Sequence, residues 1–129
     1  MFKKIMLICC LLLVGCAQGL IKPPPSPINA ANNADIVVCR DSAFMGSAIS
    51  FTFTINGQDI YEFANGDSYN FKLDPGEYLF GVKSSGGWQI AGNFNEIEAI
   101  LKANKKYLYR LIPDMGTGSR IQPGSNCMN

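Results

Sequence analysis

From Asp35 onward, apolar and polar positions alternate with a period of two. Phe51, Phe53 and Ile55 fall on one face and Ser50, Thr52 and Thr54 on the other. Tyr69, Phe71 and Leu73 alternate with Ser68, Asn70 and Lys72, while Tyr78, Phe80 and Val82 alternate with Glu77 and Lys83. Aromatic and β-branched residues in this rhythm predict half-buried strands. Asn56-Gly57, Asn65-Gly66 and Pro75-Gly76 separate the runs. Asn-Gly between alternating runs is a hairpin signal, because both residues tolerate positive φ. The expected strands lie near 36–40, 48–55, 59–64, 68–73 and 77–83, arranged as a meander, with a later one through Tyr107, Tyr109 and Leu111. Residues 95–103 are ambiguous. Ile97, Ala99 and Leu101 alternate as in a strand, the reading preferred here, yet Ile97, Ile100 and Leu101 also fit a helix capped by Asn95. The pattern predicts an all-β domain over residues 35–129, a small antiparallel sandwich or flattened barrel of about seven strands.

The chain before Asp35 follows other patterns. Lys3 and Lys4 precede an unbroken apolar run from Ile5 to Val14. That run is about half of the roughly 20 residues a membrane-spanning helix needs, so it reads as a secretory signal. It ends in Leu13-Val14-Gly15-Cys16, which resembles the bacterial lipobox. The resemblance implies cleavage after Gly15, a diacylglycerol on the Cys16 thiol and an acylated new amino terminus. Several acyl chains anchor far more firmly than one. Ala17, rather than aspartate, after the cysteine implies sorting to the outer membrane, with the periplasmic face preferred over the cell surface. Residues 1–15 are then a cleaved signal peptide, and residues 16–34 a lipidated cysteine and tether. Pro23-Pro24-Pro25-Ser26-Pro27 favours extended polyproline backbone, a stalk reaching about 50–60 Å at full extension.

Charge narrows the possible partners. The chain has eleven basic and ten acidic residues, and loss of Lys3 and Lys4 leaves nine against ten. A nearly neutral domain without a basic patch is a poor nucleic-acid binder. Histidine, the commonest general base and metal ligand, is absent. Five cysteines become three once Cys9 and Cys10 leave with the signal. With Cys16 lipidated, Cys39 and Cys127 remain to bond in an oxidising compartment, the alternative being two separate thiols.

Catalytic chemistry has little to stand on. Lys83 beside Ser84-Ser85 suggests a Ser/Lys dyad only faintly, against a plain Ser/Gly loop. Glu96 and Glu98 share a strand face, as paired carboxylates would, but so do solvated glutamates. No metal site, catalytic residue or cofactor beyond the covalent lipid is expected, and the chain reads as a non-enzyme. Candidate partner contacts are Trp88, the sole tryptophan, which follows Gly86-Gly87, together with Arg40 and Arg110. Both arginines are expected on strand faces opposite the core residues, pairing with Asp41 or Glu98 or pointing to a ligand.

Arg40-Asp41-Ser42, Gly46-Ser47, "INGQDI", "NGDSYNFKLDPGEY", "ANKKYLYR" and "LIPDMGTG" follow one another in order. This order resembles a family of small bacterial lipoproteins carrying a β-sandwich domain of unknown function, over roughly residues 36–118. Asp41 stands where that pattern has proline, and Asn104 where it has glycine. The resemblance implies a fold and an anchor, with no activity. A membrane-anchored structural or interaction module that docks an envelope protein is the expected role. The alternative is a ligand-binding lipoprotein similar to bacterial lysozyme inhibitors, which are small lipidated β-domains with a first-strand cysteine bonded near the carboxyl end. Their Ser-Gly-x-x-Tyr inhibitory loop is not matched by "SSGGW". Lysozyme or a glycan would be the partner in that case.

Overall fold

A computed structural model describes residues 19–28, 31–42, 49–86, 89–114 and 118–127, with backbone only at 85–86 and 89–93. The described chain is all-β, with nine strands. They are β1 (Gly19–Leu20), β2 (Ala34–Arg40), β3 (Ile49–Ile55), β4 (Gln58–Phe63), β5 (Ser68–Leu73), β6 (Gly76–Gly86), β7 (Gln89–Leu101), β8 (Lys106–Asp114) and β9 (Gly118–Pro123). They form two packed sheets, a five-stranded one in the order β1-β4-β3-β6-β7 and a four-stranded one in the order β5-β2-β8-β9. All pairs are antiparallel except β2 with β8. The domain is thus a small β-sandwich.

Period-two alternation builds the core. Phe51, Phe53 and Ile55 of β3 and Phe80 and Val82 of β6 point inward from the larger sheet, and all are buried. Ala34, Ile36 and Val38 of β2 and Tyr109 and Leu111 of β8 meet them from the smaller one. Aromatic rings join the layers. Tyr61 stacks on Tyr69 at 4.5 Å between centroids, and Phe80 meets Tyr109 edge-on at 5.0 Å. Offset and edge-on pairs of this kind add to plain area burial.

The expected meander holds only between β3 and β4, because β2 and β5 lie in the other sheet from β3, β4 and β6. β5 leaves β4 for the other sheet and pairs with β2, while β6 takes the place beside β3. Both β4 and β5 carry inward aromatics, Tyr61 with Phe63 and Tyr69 with Phe71. Tyr61 and Tyr69 stack between the two layers, so the rings of β4 and β5 meet across the core. The ambiguous stretch is strand: Ile97, Ala99 and Leu101 face inward in register with Phe80, Tyr78 and Gly76. A helix would have buried Ile100, which is 57% exposed.

The turns follow their chemistry. Asn56 and Gly57 both hold positive φ, 50° and 78°, as a two-residue hairpin requires. Asn56 exchanges further bonds with Leu79, donating its backbone N–H to the Leu79 carbonyl at 2.8 Å and accepting at Oδ1 from the Leu79 N–H at 2.9 Å. Asn104 occupies the left-handed region at φ 59°, where asparagine substitutes for glycine with the least penalty.

Residues 19–28 of the segment expected as a tether lie along the domain. β1 pairs with β4, Gly19 opposite Glu62 and Leu20 opposite Tyr61. The Ile21 and Lys22 amides then donate to the Ile60 carbonyl, and Lys22 Nζ donates to Gln58 Oε1 at 2.7 Å. Pro24–Pro27 arch over the outer face of the smaller sheet above a groove of about 600 Å³, and the Ile28 amide donates to the Asp74 carboxylate.

Candidate functional site

The strands bring the sequence-derived candidates to one end of the sandwich. β2, β4, β6 and β8 all finish there, and β3, β5, β7 and β9 begin there. Arg40 and Asp41 close β2 at this end, beside Arg110 of β8. Gly15, Cys16 and Trp88 lie outside the described residues.

Arg40 differs from expectation. It continues the inward face of Ala34, Ile36 and Val38, and only 3% of it is exposed. Its guanidinium lies 4.1 Å from the centroid of the Phe51 ring, and Nη1 donates to the Phe63 carbonyl at 2.8 Å. The reason is position: β2 reaches the rim of the core here, and a long side chain can turn across the open end. A cation over an aromatic face offsets part of the desolvation cost. Burial pushes the Arg40 guanidinium below its ordinary value. Its geometry closes the end of the core.

Arg110 lies on the outer face, as expected from its inward neighbours Tyr109 and Leu111. It forms an ion pair with Asp41, with Nε donating to both carboxylate oxygens at 2.7 Å and Nη2 donating to Oδ2. The two side chains are only 15% and 10% exposed. These hydrogen bonds hold the Arg110 guanidinium above its ordinary value. A bidentate pair of this kind fixes orientation as well as charge. The Asp41 that departs from the resemblance pattern therefore has a partner 69 residues away.

The disulfide stands beside this pair. Cys39 is in register with Arg110, and its sulfur lies at bonding distance, 2.16 Å, from that of Cys127. The Cα atoms are 6.0 Å apart and the sequence separation is 88. The bond ties the carboxyl-terminal tail to β2, after β9 has paired with β8 and the Gly124 amide has bonded the Leu108 carbonyl.

The faint catalytic arrangements separate. Ser84 points inward and is buried, whereas Lys83 points outward to Asp59 Oδ1 at 2.7 Å. Neighbours along a strand face opposite ways, so the two cannot form a dyad. Glu96 and Glu98 do share the outer face of β7, both exposed to solvent. Beside them lies a feature the sequence reading missed: Leu79, Phe94 and Ile100 are 45–57% exposed on the same face. Ile100, next to the inward Ala99 and Leu101, was the signal that could have revealed it.

The chain matches no protein-family model, and no curated protein matches its sequence.

Proposed function

We propose that the chain is a bacterial lipoprotein, anchored through acyl chains on Cys16 to the periplasmic face of the outer membrane. Its β-sandwich is a non-catalytic module that docks another envelope component. One observation carries this reading. Two lysines, a ten-residue apolar run and Leu13-Val14-Gly15-Cys16 occur in the order and spacing of a lipoprotein signal. The resemblance to small lipoproteins with a β-sandwich domain supports it, as do the all-β fold and its disulfide.

In-cell crosslinking of the lipidated protein, followed by envelope purification and mass spectrometry, tests the docking role. A discrete protein partner, lost in the secreted Cys16→Ser form, is the expected result. Retention on glycan alone, or no partner in either form, would overturn it. A lysozyme-inhibitor-like role is the second reading, favoured by the bond from the first core strand to the carboxyl tail. Unchanged lysozyme turnover with micromolar purified domain would remove it.

A further inference from the structure

We infer that the sandwich rests on the bilayer through its β1/β4 edge, with Leu20 and Ile21 at the lipid surface, rather than hanging from a stalk. This rests on the lipid anchor at Cys16. Gly19, the first residue of β1, follows Cys16 by three positions. Three residues span at most about 11 Å even when fully extended. The domain edge is therefore within that distance of the anchor for as long as β1 stays paired.

The pairing has several independent holds. Gly19 and Leu20 ladder with Glu62 and Tyr61, and the Ile21 and Lys22 amides both reach the Ile60 carbonyl. Lys22 Nζ bonds Gln58, and 46 residues separate Ile28 from the Asp74 carboxylate that accepts from its amide. The prolines that suggested a stalk fall between these two attachments. Residues 23–27 therefore bridge two points on the domain, and their length does not separate the domain from the membrane.

The edge so held has the chemistry of a lipid contact. Leu20 is 51% exposed and Ile21 is 49% exposed, on the two residues where the chain emerges from the anchor. Leu20 closes β1 and Ile21 opens the bend that follows, so two half-exposed apolar side chains stand next to each other at this edge. Lys22 follows directly, a cation suited to anionic headgroups beside an apolar tip. The opposite edge lies well away. Five strands about 4.8 Å apart place β7 about 19 Å from β1.

The test uses the full lipidated chain in phosphatidylethanolamine/phosphatidylglycerol vesicles, with and without bromine on the acyl chains. Leu20→Trp and Gln122→Trp are each made with Trp88→Phe, so that one indole reports. Gln122 is an exposed residue of β9, at the far edge. Brominated lipid is expected to cut Leu20→Trp emission at least twofold and to leave Gln122→Trp unchanged. Equal emission from Leu20→Trp in both vesicle types, with the protein still floating with them, would overturn the inference while the anchor stands. Protein that does not float and carries an unmodified Cys16 would overturn both. Amide exchange of the unsubstituted chain gives a second readout. Slow exchange at Ile21 and Lys22 on vesicles supports the seated edge, and exchange at the rate of unstructured chain refutes it.

Discussion

Replacing Cys39 and Cys127 together by alanine removes a cross-link that acts mainly on the unfolded chain. Closing a loop of 88 residues restricts the unfolded ensemble enough to stabilise the fold by about 4–5 kcal/mol. The native fold should survive the loss, because β9 still ladders with β8 and Gly124 still bonds Leu108. Structure is thus retained while stability falls. Urea unfolding of the secreted Cys16→Ser form, followed by circular dichroism, measures this. With an m-value of roughly 1.5 kcal/mol/M, the midpoint should fall by about 3 M. Reduction of the intact domain in urea is the same perturbation without substitution and should give the same shift. A shift below about 0.5 M by both routes would refute the loop-entropy reasoning. A large shift for the alanine variant alone would place the loss in native packing around Cys39.

Four further outcomes follow from local geometry. Asn56→Gly keeps the positive φ but loses the bond to the Leu79 amide, a cost of about 1 kcal/mol, and Asn56→Ala adds left-handed strain for about 2–3 kcal/mol in all; equal losses in urea unfolding would show that the turn does not need positive φ. Thr54 buries a hydroxyl with no hydrogen-bond partner among the described residues, so Thr54→Val should gain about 1 kcal/mol, and a loss would contradict that assignment. A Cβ on Gly81 would stand 2.3 Å from Thr54 Oγ1 and 2.7 Å from the Phe94 ring, so Gly81→Ala should lower stability by about 1–3 kcal/mol. Burial raises Tyr109, Tyr61, Tyr69 and Tyr78 above the ordinary tyrosine value, so the unfolded chain loses its phenolic protons first as pH rises. Their contribution should be complete below about pH 10 and lost above it, with Tyr109→Phe flattening the decline that urea unfolding measures above about pH 10.

Alternation made most strands legible, because a half-buried strand repeats every two residues. β3, β5 and β6 read directly from Phe51/Phe53/Ile55, Tyr69/Phe71/Leu73 and Tyr78/Phe80/Val82. β9 did not, since Ile121 is its one large apolar residue and its pairing depends on β8 lying beside it. β1 is only two residues long and exists because the β4 edge was there to receive it. The placing of β2 and β5 in the other layer is a tertiary matter: which inward faces meet, Tyr61 on Tyr69 among them, is stated by no local pattern. Arg40 was misplaced because charge suggests an outward face, while the end of a core admits a long cation over Phe51. Asp41 was named as a partner for Arg110 from proximity of type alone, and the parallel β2/β8 register brings the two together.

Lipidation of Cys16 is the claim on which the anchored reading and the seated edge both depend. Mass spectrometry of the amino-terminal peptide, taken from membranes of cells making the full chain, tests it most directly. The predicted peptide begins at Cys16 and carries a diacylglycerol on sulfur and an acyl chain on its amino group. A peptide cut elsewhere, or one beginning at Cys16 with a free thiol, would contradict it.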